Sequence, residues 1–131
     1  MSRKKLKLAP VELMLMKAVW RLGEASVQHV RDAVAEEREL AYTTVLTMLR
    51  KLEQKGFLAH KEVDRRYVYR PLVGEQEVTR SMLRDLLNRA FDGSRELLVT
   101  RLFELGRLDE KELDALRRQL NEAKKKQDRT Q

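Results

Sequence analysis

Apolar and polar positions alternate along this chain in two rhythms. From Pro10 to Gly23 the rhythm is helical, with Leu13, Met16, Ala18, Val19, Trp20 and Leu22 on a broad apolar face. Proline suits a first helical position, since its missing N–H would have no partner there, and glycine ends the run. GEAS (residues 23–26) reads as a turn or a very short strand. Ser26 then caps a second helix, VQHVRDAVAEER, in which Val27, Val30, Ala33 and Val34 share one face. Leu40, in the following EREL, is expected to be buried. A third helix runs from Tyr42 or Thr43 to Lys55 and stops at Gly56, with Val45, Met48, Leu49 and Leu52 at helical spacing.

After Gly56 the period drops to two. FLAHKEV sets Phe57, Ala59, Lys61 and Val63 on alternate positions, and YVYRPLV is a second β-prone run. Asp64, Arg65 and Arg66 form the tip between them. Three helices and a hairpin predict a winged helix-turn-helix domain over residues 1–73, mainly α with a small β-hairpin. From Gly74 the helical rhythm returns. EQEVTRSMLRDLLNRAF puts Val78, Met82, Leu86 and Ala90 on one stripe, with Leu83 and Leu87 beside it. GSRELLVTRLFELG, capped by Ser94, carries Leu98 and Leu102. A last helix capped by Asp109 spaces Leu113, Leu116, Leu120 and Ala123 as a narrow coiled-coil-like seam. Three amphipathic helices in about 50 residues cannot bury every apolar face internally. Residues 74–131 are therefore expected to be a helical dimerisation domain that pairs through Val78, Met82, Leu86, Leu98, Leu102, Leu113, Leu116 and Leu120. The tail KKKQDRTQ is expected to fray.

Composition narrows the chemistry. The chain of 131 residues has no cysteine, which removes disulfides, thiolate metal sites and thiol catalysis. No apolar run approaches the roughly 20 residues that cross a bilayer. Lys17 interrupts the apolar stretch after the basic start, and no small-residue cleavage site follows, so the N-terminus reads as a cytoplasmic start rather than a signal peptide. Net charge is +7. Residues 1–73 hold 15 basic and 9 acidic side chains, and residues 74–131 hold 13 and 12. The excess therefore sits in the N-terminal half, as expected if that half meets a polyanion.

The third helix says which polyanion. Opposite its apolar stripe lie Thr43, Thr47, Arg50 and Gln54, with Thr44 and Lys51 on one flank and Leu46 on the other. Threonine is a mediocre helix former, so propensity does not explain three of them. Short side chains let a helix approach base edges in the major groove, where hydroxyls exchange hydrogen bonds and methyls touch thymine. Leu46 has two readings, a thymine contact or a core residue. Arg50, late in the helix, suits a phosphate better than a guanine. Tyr42 and Lys51 are phosphate candidates, Lys61, Arg65 and Arg66 suit the backbone or minor groove beside the wing, and the N-terminal RKKLK adds non-specific attraction. Thr43 or Thr44 could instead serve as a helix cap. His29 and His60 stand far apart in sequence and fit surface or capping roles better than metal binding or catalysis. No metal or other cofactor is expected.

These stretches carry a resemblance. VELMLMKAVWRLGEASVQHVRDAVAEE and AYTTVLTMLRKLEQKGFLAHKEVDRRYVYRPLV resemble the BlaI/MecI/CopY (penicillinase repressor) family of bacterial transcription regulators, and ELLVTRLFELGRLDEKELDALRRQLNE does so more loosely. The resemblance implies a homodimer that represses transcription from a near-palindromic double-stranded operator with TACA/TGTA-type half-sites. By position in the recognition helix it assigns Thr43, Thr44, Leu46 and Thr47 to readout. A methicillin-resistance-type repressor has arginine where Leu46 stands, and the family's wing often has glycine where Arg65 follows Asp64. The penicillinase branch is switched by a regulatory protease at an Asn–Phe bond, and the corresponding place here reads Arg101–Leu102. The copper-responsive branch uses a C-terminal cysteine motif, which this chain lacks. The reading from another class is a winged-helix protein-interaction module without specific DNA binding. An enzyme ranks third, because the chain has no Gly-rich phosphate loop and no nucleophile–base spacing.

Overall fold

The computed structural model describes residues 7–129. Arg3, Lys4 and Lys5 of the basic N-terminal motif lie outside them. The order is α1 (Pro10–Leu22), β1 (Ala25–Ser26), α2 (Val27–Val34), α3 (Tyr42–Gln54), β2 (Leu58–Val63), β3 (Arg66–Pro71), α4 (Glu75–Ala90), α5 (Arg95–Glu104) and α6 (Glu110–Arg129). The strands form one antiparallel sheet in the order β1-β3-β2. Two compact units divide within α4, one ending at Asp85 and the other starting at Leu86.

In the first unit, one core gathers Leu15, Met16 and Val19 of α1, Val27, Val30 and Val34 of α2, and Val45, Leu49 and Leu52 of α3, closed by Phe57, Leu58 and Tyr69. Leu15 was absent from the expected face of α1 yet is fully buried, whereas Leu22, in the last turn, is exposed. Glu12 is buried too. Its carboxylate accepts from the Ala9 N–H at 2.9 Å and from Lys55 Nζ at 2.9 and 2.8 Å. Burial alone would push this carboxyl up. The Lys55 and Ala9 hydrogen bonds, with the charges of Lys55 and Lys51, outweigh that and hold it below its ordinary value.

Ser26 caps α2 by accepting from the His29 N–H at 3.1 Å. The helix ends at Val34, earlier than the expected Arg38, because residues 35–39 are all exposed and supply nothing to the core. Leu40 packs against the core as a partly buried residue, and its carbonyl accepts from Arg31 Nε at 2.7 Å.

The hairpin differs from its expected parity. Phe57 precedes β2 and donates its N–H to the Leu52 carbonyl, and Phe57 and Leu58 are both buried in succession. That resets the alternation, so Val63 is exposed. Pairing runs from Leu58↔Pro71 to Val63↔Arg66, which makes Asp64 and Arg65 the whole turn and Arg66 the first residue of β3.

The start of α4 belongs to the same core. Trp20 Nε1 donates to the Val73 carbonyl at 2.9 Å, and Lys17 pairs with Glu75 at 3.3 Å. These ties fasten the start of α4 and the residues just before it to α1. Val78 is fully buried there, with Met82 packed beside it. Val78, expected on a dimer seam, is therefore a core residue of the winged unit, and Met82 is partly covered by the same core. The packing carries that core beyond the expected boundary at residue 73.

The second unit has a different economy. Ser94 caps α5 through the Leu97 N–H and Asp109 caps α6 through the Glu112 N–H. Neither helix holds a buried residue among those described. The expected frayed tail is helical through Arg129. Lys124, Lys125 and Lys126 sit at the negative end of that helix, where cations are favoured, and Lys125 pairs with Glu122 at 3.9 Å.

Candidate nucleic-acid interface

Helix α3 presents its buried stripe, Val45, Leu49 and Leu52, to the core. That orientation turns Thr43, Thr44, Thr47, Arg50 and Lys51 outward, and all five are exposed. Leu46 is the exception. It packs against the core and is partly buried, so it has the contacts of the core reading while part of its side chain stays open to the outer face. The N-cap of α3 is Ala41, which offers no side-chain acceptor. Thr43 and Thr44 stand inside the first turn and are not caps.

Thr47 carries a constraint invisible in the sequence. Its hydroxyl donates to the Thr43 carbonyl one turn back, at 2.8 Å. With that proton committed, the outward-facing oxygen acts as an acceptor, suited to an amine on a base edge, while the methyl remains free for a thymine.

The wing supplies the cations. Asp64 and Arg65 both have positive φ, +50° and +66°, as a two-residue mirror-image turn requires. Arg65, Arg66 and Lys61 are exposed. Lys61 is partly engaged, 3.2 Å from Glu24, but both groups are open to solvent and such a pair holds weakly. Tyr42 and Arg66 meet at one cavity although they are 24 positions apart in the chain.

A polar joint links α3 to the hairpin. His60 Nδ1 lies 2.7 and 2.8 Å from the Glu53 carboxylate, and its ring stands edge-on to Tyr67 and tilted against Tyr69. Tyr69 is buried, which pushes its phenol above the ordinary value. The Glu53 charge adds to that push, against Arg50. Glu53 is the one acidic residue of α3, and the joint ties it to the strand. Sequence reasoning missed Glu53, Tyr67 and Gln28 as interface neighbours, since only the register His60↔Tyr69 and Glu62↔Tyr67 brings the strand residues to α3. Among the described residues, no cluster of His, Asp and Glu is arranged to hold a metal ion, and no helix is long and apolar enough to cross a membrane.

The expected dimer contacts of the second unit are open. Leu86, Leu102, Leu113, Leu116 and Leu120 are exposed large apolar residues, and Leu98 is half-buried. The Arg101–Leu102 bond lies inside α5, where Arg101 pairs with Glu104 at 2.9 Å and the Leu102 carbonyl accepts from the Leu105 N–H.

The chain is similar to known proteins. The sequence profile of the penicillinase repressor family matches residues 8–122. The chain is 36% identical over 118 residues to the transcriptional regulator BlaI of Mycobacterium tuberculosis, covering 88% of this chain and 84% of that protein. It is 27% identical over 117 residues to the penicillinase repressor of Bacillus licheniformis, covering 89% and 91%. Among solved structures, the DNA-binding domain of the repressor BlaI superposes with a TM-score of 0.50 at 27% identity, over 59% of this chain and 93% of that one. With the profile spanning both the winged unit and the helices after it, the chain belongs to the penicillinase repressor family.

Proposed function

We propose that this protein is a sequence-specific transcriptional repressor that binds a near-palindromic double-stranded operator as a homodimer. Helix α3 enters the major groove with Thr43, Thr44 and Thr47 at base edges. Tyr42, Arg50, Lys51, Lys61, Arg65 and Arg66 hold the sugar–phosphate backbone on either side. One observation carries this reading. The face of α3 opposite its core stripe is short-chained, hydroxyl-bearing and exposed, in the same compact unit as a hairpin tipped by two arginines. The names of the relatives support it, one being a penicillinase repressor and another the DNA-binding domain of a repressor. Such a protein acts where the chromosome is, in the cytoplasm. Release by a regulatory protease at Arg101–Leu102 would require α5 to unwind locally, because a protease takes its substrate extended.

The test is a salt titration on a duplex with two inverted TACA/TGTA-type half-sites, beside a scrambled duplex. Affinity should fall steeply with salt, by about 0.9 log units per log unit for each phosphate neutralised. Thr47→Ala should narrow the preference for the operator by about 1–3 kcal/mol, while Arg66→Ala should weaken both duplexes alike. A flat salt response would remove the DNA reading and favour a protein-docking module. Equal losses from the two variants would remove the division of roles.

A further inference from the structure

Arg66 stands between two cavities, and only one of them suits an anion. The larger, about 510 Å³, is lined in part by Glu24, Asp64 and Arg66. Its two carboxylates repel a phosphate, and Glu24 already holds Lys61. The smaller, about 220 Å³, is lined by Ser26, Val27, Gln28, Tyr42, Arg66 and Tyr67, with no carboxylate among them. That is room enough for a phosphodiester and part of its hydration.

Two of the donors are held in place, and each of the four has an N–H or O–H to give. Arg66 has no ion-pair partner among the described residues, and the hydroxyls of Tyr42 and Tyr67 have no hydrogen-bond partner among them. The Gln28 amide gives one N–H to Asp32 Oδ1 at 2.8 Å, which fixes the group and leaves its second N–H available. The Tyr67 ring is braced edge-on by His60, centroids 4.9 Å apart, and His60 is held by Glu53. Four donors from three elements therefore surround a cavity beside the first residue of α3, next to the threonine face. Gln28 and Tyr67, positioned before the anion arrives, lose little freedom when it binds.

We propose that this cavity seats one phosphodiester of the operator backbone per subunit, held by Gln28, Tyr42, Tyr67 and Arg66. The proposal rests on the DNA-binding reading above and adds Gln28 and Tyr67, which set the register of α3 in the groove rather than read bases.

The experiment replaces single phosphates of one half-site, in turn, by neutral methylphosphonates in the inverted-repeat duplex. Affinity is measured for the wild-type chain and for the Gln28→Ala/Tyr67→Phe double variant. One position should cost the wild type on the order of tenfold and cost the double variant about threefold or less, since its seat is already broken. The variant should also weaken binding to scrambled DNA by the same factor as to the operator. Equal cost of every methylphosphonate in both proteins, or no costly position at all, overturns the seat while wild-type binding to unmodified DNA leaves the broader reading standing. Absence of salt-steep binding by the wild type removes both. If inorganic phosphate without DNA shifts the NMR signals of Gln28 and Tyr67 while the methylphosphonate costs stay equal, the cavity is a free-anion site and the backbone assignment is wrong. Both substitutions trim exposed groups, and the scan on wild-type protein needs no variant.

Discussion

Glu12 and Lys55 show how a single charged residue enters the core of so small a unit. The Glu12 side chain is only 4% exposed, while Lys55 keeps 37% of its surface in water. The pair is therefore asymmetric. Lys55→Met leaves a buried carboxylate with only the Ala9 N–H, and should cost about 2–3 kcal/mol near neutral pH, below the range for fully buried pairs because Lys55 is partly hydrated. Glu12→Gln lets Lys55 turn to solvent and should cost about 1 kcal/mol. The pH dependence follows from the direction of the Glu12 shift. A carboxyl held below its unfolded value contributes stability that is present above the unfolded pKa and lost as pH falls through the folded one. In Lys55→Met both contributions of Lys55 are gone, so the Glu12 carboxyl should lie above its value in the wild type. The variant's deficit should then shrink toward acid pH, where Glu12 takes up a proton. Urea unfolding of both variants at neutral and acid pH measures this. A Glu12→Gln variant less stable than Lys55→Met at neutral pH would contradict the asymmetry.

At the scale of elements, the hairpin turn is where sequence and backbone disagree most. Neither Asp64 nor Arg65 is glycine, yet both adopt positive φ, a conformation that costs an L-residue with a Cβ about 1–2 kcal/mol. Arg65→Gly should recover part of that cost, partly offset by the greater freedom of glycine in the unfolded chain. The net gain should be about 0.5–1 kcal/mol, a rise of a few degrees in Tm. The same change removes a charge from the wing and should weaken binding to any DNA sequence. A lower Tm would mean that the Arg65 side chain contributes contacts outweighing the strain. The helices were legible because their apolar positions recur at a spacing that α-geometry alone satisfies, as with Val45, Leu49 and Leu52. The outward face of α3 followed from the same count. Strand parity was not legible, since Phe57 closes the turn after α3 before β2 begins. Nor was the cavity at Tyr42 and Arg66, whose lining depends on a register that no local pattern encodes. Val78 misled for a related reason. An apolar stripe announces that something covers it, and for Val78 the core of the winged unit does so.

Over the whole molecule, the two units bury their apolar surface differently. The winged unit is closed around an apolar core. The helices α5 and α6 bury no side chain among the described residues, with Leu113, Leu116 and Leu120 exposed at 36%, 40% and 68%. A unit without a core of its own cannot offset the entropy of ordering its chain, and on the homodimer proposed above the regular spacing along α6 would meet a second copy. Under two-fold symmetry each leucine counts twice, and burying one is worth about 1.5–3 kcal/mol. Leu116→Asp, at the middle of the seam, should therefore convert a dimer at micromolar concentration into a monomer, read by light scattering across dilution. The DNA consequence is separate and larger. Linking two reading heads makes the second half-site contact intramolecular, so its loss should weaken binding to the inverted repeat by about 10²–10⁴-fold, while affinity for an isolated half-site stays as in the wild type. Val78→Ala serves as the contrast. It should destabilise the winged unit by about 0.5–3 kcal/mol and leave the dimer intact, because Val78 lies inside that core. A Leu116→Asp protein that remains dimeric, or a Val78→Ala protein that dissociates, would exchange the two roles and return the dimer seam to the stripe along α4.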